Sequence, residues 1–467
     1  DTKKEQERDE LHRAIWAIAD ELRGAVDGWD FKNYVLGTMF YRYISENLCN
    51  YVNSGEIDAG NTDFDFAKMA DENAEEAREG LVEEKGFFIL PSELFCNVRS
   101  NAADDENLNE TLERVFRHIE ESAKGSEAES DFAGLFDDYD VNSNKLGSTV
   151  AKRNEKLVKL LNGVGEMKLG DVKDHSIDAF GDAYEYLMMM YASNAGKSGG
   201  EFFTPADVSE LLTRLGTVGK TEINKVYDPA CGSGSLLLKA EKVLGKDAIR
   251  NGFYGQEINI TTYNLCRINM FLHDVAAENQ NLHHGDTLDA DWPTGEETDF
   301  HMVLMNPPYS AKWSAASGFL QDERFSEYGV LAPKSKADYA FLLHGLYHLK
   351  SNGTMAIVLP HGVLFRGAAE GKIREKLLRS GNIYAVIGLP ANLFYNTSIP
   401  TCIVVLKKHR DGRDVLFIDA SKKFIKGKKQ NEMADEHIDE VMDLYNRRET
   451  VDKESYLASF DDIEKND

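Results

Sequence analysis

The sequence predicts an α/β fold with a doubly wound, mostly parallel sheet and a separate helical domain at its N-terminus. The first observation is that helix and strand patterns alternate strictly from about Val208 onward, which is typical of a parallel sheet with helices on both faces. The second is that the pattern before about residue 165 is mostly helical. We therefore expect a helical domain over residues 1–165, an α/β domain over residues 166–420 and an acidic helical tail over residues 421–467.

Length and charge restrict the classes of function. The chain has 467 residues and a mass of 52.4 kDa, enough for two or three domains with sizeable cores. Its formal net charge is −27 at pH 7, whereas a protein that grips nucleic acid over a broad surface normally carries a basic excess or patch. We therefore expect any polyanion to be held by a local cluster of cations, or mainly by another subunit.

Cysteine usage and hydropathy indicate the compartment. The five cysteines are odd in number, scattered and without CxxC spacing, so we expect neither a disulfide framework nor a zinc site, and a reducing cytoplasm fits best. His283-His284 has no third ligand at a useful spacing, so no metal site is predicted. No apolar run approaches the roughly 20 residues that a membrane span needs, and we expect no membrane association.

The N-terminal region reads as a series of helices. Apolar residues recur every three or four positions along the first helix, at Leu11, Ile15, Ile18 and Leu22. Residues 31–43 are apolar on most sides, which predicts a buried helix. Further helices are predicted over 108–121 and 148–161, the second ending at Asn162-Gly163. This region carries no chemistry of its own, so we expect it to pack or to dock a partner.

The rest of the chain alternates between the two kinds of element. Predicted helices cover residues 177–192, 208–215, 234–244, 261–274, 336–349 and 372–380. Predicted strands cover residues 225–228, 252–257, 283–286, 299–305, 354–359, 383–389 and 401–407. The last two strands are joined by a short irregular link, which predicts a hairpin with one antiparallel edge strand.

The stretch Asn306-Pro307-Pro308-Tyr309 follows an apolar strand directly. Two prolines cannot continue a strand, so the backbone turns out of the sheet at the edge where ligands bind in open α/β sheets. The Asn306 side-chain oxygen and the Pro307 carbonyl could accept both protons of an sp2 amino group, and Tyr309 could stack on its ring. The alternative is an Asn-Pro turn that merely ends a strand.

A glycine-rich turn and two strand ends predict a nucleotide-like cofactor. Residues 228–235 read Asp-Pro-Ala-Cys-Gly-Ser-Gly-Ser between a strand and a helix, and Gly232 and Gly234 would let backbone N–H groups approach a ligand. Glu257 ends the next strand, where an acid can bind two ribose hydroxyls. Asp286 follows the third strand and could accept from an adenine amino group.

An acid that binds ribose is also compatible with NAD. The turn lacks the third glycine of GxGxxG, however, and Asp228 would repel a pyrophosphate while attracting the ammonium group of a methionine moiety. The sequence therefore favours S-adenosyl-L-methionine.

Together these motifs resemble those of the N6-adenine DNA methyltransferases. The resemblance rests on residues 228–234, Gly255-Gln256-Glu257, Gly285-Asp286 and Asn306-Pro307-Pro308-Tyr309. Gly199-Gly200-Glu201-Phe202-Phe203-Thr204-Pro205 narrows it to the modification (M) subunits of type I restriction-modification systems. It covers most of the chain, because those subunits also begin with a helical domain.

The resemblance implies a fold of the S-adenosylmethionine-dependent methyltransferase type and a role for each motif. The cofactor-binding residues would be Glu201, Phe202, Phe203, Thr204, Pro205, Asp228, Gly232, Ser233, Gly234, Ser235, Glu257 and Asp286. The catalytic residues would be Asn306, Pro307, Pro308 and Tyr309, which hold a flipped adenine whose N6 attacks the methyl group. Ser235 departs from the pattern, since several relatives have Gly there.

The resemblance also implies partners. They are double-stranded DNA, a separate specificity (S) subunit that reads the sequence, a second copy of the M subunit and a restriction or motor (R) subunit. Two features agree independently: the chain is acidic, and no insert between Asp228 and Asn306 is large enough for a target-recognition domain.

Three rival functions stay open at this point. The same Asn-Pro-Pro-Tyr chemistry serves methylation of a glutamine amide in a protein, or of a base amino group in RNA. A rival of another class is an assembly module that binds the cofactor without catalysis. The N-terminal helices and the motif over residues 199–205 favour the DNA enzyme over the first two, and the intact Asn306 and Tyr309 speak against the third.

Overall fold

A computed structural model describes two compact units. The described residues are 2–21, 28–169, 179–194, 203–245, 247–295, 299–395 and 397–466. One unit comprises Asp1–Ala195 with Arg267–Ala277, and the other comprises Gly196–Cys266 with Glu278–Asp467. These divisions do not coincide with the boundaries at 165 and 420 that the sequence suggested.

The first unit is helical in its described part. Its helices are α1 (Thr2–Glu21), α2 (Gly28–Asp58), α3 (Asp71–Ala74), α4 (Arg78–Lys85), α5 (Phe95–Asn101), α6 (Leu108–Ser122), α7 (Glu129–Phe132), α8 (Val150–Glu166) and α9 (Ala179–Asn194). Helix α2 packs against α5, α8 and α9, and α1 packs against α8 and α9. The apolar positions that predicted the first helices are buried, among them Leu11, Ile15 and Ile18.

Helix α8 continues past the position where the sequence placed its end. Asn162-Gly163 was the predicted stop, but the helix runs on to Glu166 and Met167 caps it. Gly163 is instead a point of close packing, because a Cβ there would come within 2.7 Å of Ile18 Cγ1. The glycine therefore lets α1 approach α8, and the predicted helix end was wrong.

The second unit is built on one large sheet. Its helices are α10 (Ala206–Thr217), α11 (Ser235–Leu244), α12 (Ile260–Leu272, shared with the first unit from Arg267), α13 (Asp338–Tyr347), α14 (Ala368–Arg379), α15 (Asp435–Arg447) and α16 (Phe460–Lys465). Its strands are β1 (Val226–Asp228), β2 (Phe253–Glu257), β3 (Gln280–His284), β4 (Phe300–Met305), β5 (Leu349–Pro360), β6 (Ile383–Gly388), β7 (Thr401–Lys407), β8 (Val415–Asp419), β9 (Ile425–Lys426), β10 (Asn431–Glu432) and β11 (Ser455–Ala458).

The strand order of the large sheet is β11-β8-β6-β7-β5-β4-β1-β2-β3. Strands β1 to β5 are mutually parallel, and β8 runs parallel to β6. The chain proceeds outward from β1 through β2 to β3, then returns to β4 on the other side of β1. This reversal creates a switch point between β1 and β4, where ligands bind in such sheets. The predicted α/β fold with a mostly parallel sheet is confirmed.

The antiparallel strand lies in a different place from the one predicted. Strand β7 is antiparallel to β6 as expected, but it lies between β5 and β6 and pairs with both. It is therefore interior, and β3 and β11 form the edges. Residues 401–406 are all buried, which suits a central strand and would leave an edge strand poorly protected.

The C-terminal segment also differs from a simple helical tail. It contains α15, as the helical expectation implies, but its β11 strand pairs with β8 from Ser455 to Ala458. Helix α15 packs against α10 and β8. This segment therefore forms part of the second unit.

Helices cover the sheet on both faces. Gly216 of α10 lies against Met302 and Leu304 of β4, whereas Gly345 of α13 lies against Met305. Successive residues of a strand point to opposite faces, so Met305 faces away from Met302 and Leu304, and α10 and α13 pack on opposite sides of β4. Among the helices of the described residues, none is both long and apolar enough to cross a membrane.

Candidate active site

The Asn-Pro-Pro-Tyr stretch leaves the sheet at the switch point. Tyr227 of β1 pairs with Val303 of β4, so Asn306 emerges beside the end of β1. Its amide nitrogen donates to Thr204 Oγ1 at 3.2 Å, and its side-chain oxygen accepts from the Tyr309 hydroxyl at 2.8 Å. Both ends of the half-buried amide are therefore hydrogen-bonded. The donor to its oxygen, the Tyr309 hydroxyl, is a group that a ligand can displace.

Aromatic rings lie next to the residues that hold this amide. The ring of Tyr309 meets that of Phe394 edge to face, with centroids 5.8 Å apart, and Phe203 lies 5.9 Å from Tyr395. Burial, with Cys402 and Asp338 nearby, raises the pKa of Tyr309 well above its usual value. The phenol is therefore neutral at physiological pH and can donate a hydrogen bond. Sequence reasoning missed Phe394, which follows β6 at the same sheet edge.

A buried carboxylate fixes the backbone just after Tyr309. Asp338 at the start of α13 is fully buried and accepts from the Ser310 N–H at 2.8 Å. Ser310 has a φ of 48°, a conformation that a residue other than glycine adopts only when its surroundings hold it. Arg366 pairs with Asp338 at 3.1 Å and with Glu370 at 2.7 Å. These contacts determine where the tyrosine ring is presented.

The glycine-rich turn has the geometry that its sequence suggested. Gly232 and Gly234 have φ angles of 54° and 84°, which glycine alone adopts readily. The Gly232 N–H donates to Glu257 Oε1 at 3.2 Å, and the Asn259 N–H donates to Oε2 at 2.8 Å. Ser233 is buried, and its hydroxyl lies 3.2 Å from that of Ser235. The turn and the end of β2 therefore form one hydrogen-bonded unit.

Three carboxyl groups lie at or just after the ends of three neighbouring strands at this edge. Burial raises the pKa of Asp228 to about 8, although its carboxylate accepts from the Ala230 N–H at 3.0 Å. Burial also raises the pKa of Glu257 and of Asp286. Asp286 is half-buried, and its carboxylate accepts from the Leu288 N–H. Such a set is suited to hydroxyl, amino and ammonium donors, which would relieve the cost of burying these acids.

The predicted segment 201–205 is described only in part. Glu201 and Phe202 lie outside the described residues. Phe203 is buried, and Thr204 bonds Asn306 as above. Pro205 directly precedes α10, and its carbonyl accepts from the Ser209 N–H at 3.0 Å. The structure thus brings Phe203 to Pro205 to the end of β4, a pairing across 102 residues of chain.

A buried polar network holds the segment after Asp286. The Arg324 guanidinium, almost fully buried, donates to the Thr287 and Leu288 carbonyls at 2.8 and 3.1 Å. It also lies 3.0 Å from His344 Nδ1. Since arginine can only donate, His344 Nδ1 accepts and its Nε2–H faces the Tyr227 hydroxyl at 2.8 Å. Sequence reasoning found no member of this network, which joins distant parts of the chain.

The same network contains a group of potential metal ligands among the described residues. Asp291, His344 and His348 offer ligand atoms within 4.8 Å of one another. The His344 lone pair at Nδ1 is already engaged by Arg324, and a guanidinium would repel a cation there. Burial, with His348 and Arg324 nearby, lowers the pKa of His344 well below its usual value. The arrangement favours a hydrogen-bonded network of neutral imidazoles over a metal centre.

Comparison with models of protein families shows the family to which the chain belongs. Residues 175–467 match the model for N-6 DNA methylase, and residues 11–164 match the HsdM N-terminal domain. The chain belongs to the N-6 DNA methylase family. The resemblance that the motifs suggested is therefore confirmed, as is the expectation of an adenine-N6 methyltransferase of the type I modification class.

Individual relatives cover nearly the whole of this N-6 DNA methylase. It is 47% identical over 463 residues to the type I restriction enzyme MpnII methylase subunit of Mycoplasma pneumoniae, covering 96% of this chain and 85% of the relative. It is 25% identical to the MjaIX methylase subunit of Methanocaldococcus jannaschii, covering 98% of this chain and 82% of that one.

Solved structures agree. The methyltransferase subunit of a type I restriction-modification system from Streptococcus thermophilus superposes with a TM-score of 0.90 at 46% identity, covering 98% of this chain and 97% of that one. A modification subunit of a type I enzyme from Vibrio vulnificus shares the fold, with a TM-score of 0.62 at 18% identity, covering 97% and 92%.

Proposed function

We propose that this chain transfers a methyl group from S-adenosyl-L-methionine to N6 of adenine in DNA, as the modification subunit of a type I restriction-modification complex. The observation that carries the proposal is the Asn306 amide at the switch point, held by Thr204 and Tyr309. The amide oxygen now accepts a hydrogen bond from the Tyr309 hydroxyl, which a ligand can displace. An adenine amino group can replace that donor.

Asn306 and Pro307 make the amino group reactive. The N6 lone pair is delocalised into the purine ring, which makes it a poor nucleophile. Two acceptors, Asn306 Oδ1 and the Pro307 carbonyl, take the two amino protons and favour the geometry in which the lone pair is localised on nitrogen. Tyr309 and Phe394 provide aromatic surface for a base that has left the duplex.

The cofactor residues fit S-adenosylmethionine. The left-handed glycine turn at 232–234 and the raised pKa values of Asp228, Glu257 and Asp286 support a site for a ligand rich in donors. In this proposal Asp228 and residues 203–205 face the methionine part, Glu257 the ribose and Asp286 the adenine amino group. When bound, S-adenosylmethionine supplies a methyl group on a positively charged sulfur.

The partners in the proposal are duplex DNA, a specificity subunit, a second M subunit and a restriction or motor subunit. The names of the Mycoplasma and Streptococcus relatives support a multisubunit system. The net charge of −27 supports a separate DNA-reading subunit, as does the short path from β1 to β4, which passes through α11, β2, α12 and β3. The five free cysteines support action in a reducing cytoplasm.

Product analysis distinguishes this function from its rivals. The chain is expressed together with the specificity subunit of its system in cells that lack N6-methyladenine, and DNA, RNA and protein are each hydrolysed. We expect N6-methyladenine in DNA alone. Methylglutamine in protein, or methylated bases confined to RNA, would overturn the proposal in favour of one of those substrates. The matched control carries Asn306→Ala, which should leave the DNA unmethylated.

A further inference from the structure

The edge of the sheet opposite the candidate active site carries a group of cations that outnumber their acidic partners. Lys220, after α10, and Lys407, at the end of β7, donate to the same hydroxyl, Thr354 Oγ1, at 2.9 and 2.7 Å. Thr354 is fully buried near the start of the inner part of β5 and pairs with Lys407 in the sheet. Two ammonium groups are thus held within hydrogen-bond distance of one atom.

Neither lysine has an acidic partner. In the described part of the chain, no carboxylate lies within 4.0 Å of either ammonium nitrogen. Burial lowers the pKa of Lys407 to about 8, with smaller contributions from the positive charges of Lys220, Arg448 and Arg410. Burial also lowers the pKa of Lys220. A lysine in such surroundings is disfavoured as a cation unless an anion joins it.

Two arginines add to the local positive charge. Arg448, Arg410 and Lys407 all lie over the ring of Tyr384, at 3.7, 5.1 and 5.1 Å from its centroid. Asp414 pairs with both arginines, at 3.3 and 3.0 Å. Asp414 is therefore shared between the two arginines, and it forms no ion pair with Lys407 or Lys220. In a chain of net charge −27, such a concentration of cations calls for an anionic ligand.

A cavity opens beside Lys220. It has a volume of about 420 Å³ and is lined by Gly219, Lys220, Thr221, Glu222, His301 and Asn352. His301 Nδ1 accepts from the Asn224 N–H at 2.8 Å, so the neutral ring presents its other nitrogen as a donor. Burial, with Lys350 and Lys220 nearby, lowers the pKa of His301 and keeps it neutral. The acid in the lining, Glu222, is paired with Arg250 at 2.6 Å.

We propose that this cavity is a binding site for a phosphate-type oxyanion, held by Lys220 with Lys407 behind it. A tetrahedral oxyanion offers more acceptor oxygens than a carboxylate, and this lining offers several kinds of donor: ammonium, imidazole N–H, amide and hydroxyl. A phosphate also carries more negative charge near pH 7, which suits a site where cations outnumber carboxylates. The site is separate from methyl transfer, because it lies at the amino ends of β4 and β5.

Binding of inorganic phosphate to the full chain tests the proposal, with calorimetry near pH 7 in a chloride buffer of constant ionic strength. We expect saturable binding that weakens by about tenfold or more in Lys220→Met and in Lys407→Met, because each substitution removes a charged donor or its support. Lys408→Met is the matched control: Lys408 is the next residue, also half-buried, but donates to the Leu346 carbonyl, so binding should be unchanged. Absence of saturable binding, or equal losses in all three variants, would overturn the proposal.

Two further arms make the test independent of the folding of any variant. The first titrates the unmodified chain with sulfate, whose charge is constant over this range, and we expect binding to weaken as pH rises past the Lys407 pKa of about 8. A pH-independent affinity would contradict the role of Lys407. The second compares phosphate with a nucleoside monophosphate: equal affinity assigns the site to free phosphate, and tighter binding of the nucleotide assigns it to a nucleotide phosphate.

Discussion

The Tyr309 hydroxyl donates a hydrogen bond of 2.8 Å to the side-chain oxygen of Asn306. This bond occupies the acceptor that the proposed mechanism requires for the adenine amino group. Tyr309 therefore satisfies a half-buried acceptor in the free protein, and the amino group of an entering base can replace it there. Because the exchange replaces one hydrogen bond by another, its net cost is small.

Replacing Asn306 tests the chemistry of the site. Asn306→Ala removes the side-chain acceptor, and we expect the rate of methyl transfer to fall by roughly 10²–10³-fold while S-adenosylmethionine binding changes little. Asn306→Asp keeps an acceptor oxygen and should retain more activity than alanine. Single-turnover rates and calorimetry measure the two effects. An alanine variant that transfers methyl groups at the original rate would exclude the mechanism.

Replacing Tyr309 separates its hydroxyl from its ring. Tyr309→Phe removes one hydrogen bond and frees the Asn306 acceptor, so we expect a change in rate of about tenfold or less. Tyr309→Ala also removes the stacking surface, worth about 1–3 kcal/mol per base, and should lower kcat/KM further. Steady-state kinetics on duplex DNA provide the comparison. Equal losses in both variants would show that the ring does not contribute.

The raised pKa of Asp228 should make the stability of the chain depend on pH. Burial raises the pKa of its carboxyl to about 8, so the folded chain keeps a proton that the unfolded chain releases near pH 4. Stability from this group is complete below the unfolded pKa and is lost as pH rises through about 8. Asp228→Asn stays neutral, so its advantage in unfolding free energy over the unmodified chain should grow from about pH 5 to about pH 9.

The same substitution should weaken S-adenosylmethionine binding, because the asparagine cannot offer a charge to the ammonium group. Urea denaturation at the two pH values and calorimetry measure the two effects. A variant equally stable at both pH values relative to the unmodified chain would contradict the assigned cause. Full cofactor affinity would remove Asp228 from the binding site.

Arg324 should be important for stability as well as for the shape of the cofactor edge. Its removal would leave the Thr287 and Leu288 carbonyls and His344 Nδ1 without their donor. We expect Arg324→Met to lower the unfolding free energy by about 3–5 kcal/mol, because each of three buried acceptors loses its donor at a cost of about 1–3 kcal/mol. Arg250→Met, which removes an exposed pair with Glu222, is the control and should change it little. Comparable losses of unfolding free energy in the two variants would contradict the stabilising role of the Arg324 network.

Local patterns in the sequence predicted the parts of the site that a few neighbouring residues determine. The glycine turn at 232–234 and the exit of the chain at Asn306 follow from backbone constraints of glycine and proline, which act within the motif. The strand before Asp286 was placed three residues late at its start, since β3 begins at Gln280. Its polar, half-buried residues gave a weak strand pattern at the sheet edge.

Contacts between residues far apart in the chain could not be predicted from local sequence patterns. Thr204 reaches Asn306 across 102 residues, and Phe394 reaches Tyr309 from the loop after β6. The position of β7 between β5 and β6 depends on pairing with both neighbours, which its apolar sequence permits but does not specify. The positions of such partners follow from the packing of the whole sheet, and no local periodicity encodes them.

The central claim is that this chain methylates adenine in DNA and relies on another subunit to choose the site. Transfer of a labelled methyl group from S-adenosylmethionine to duplex DNA tests it most directly, with the chain alone and with the specificity subunit of its system. We predict N6-methyladenine at defined sites only when both are present. Site-specific transfer by the chain alone would contradict the division of labour, and no transfer to DNA in either case would contradict the assigned chemistry.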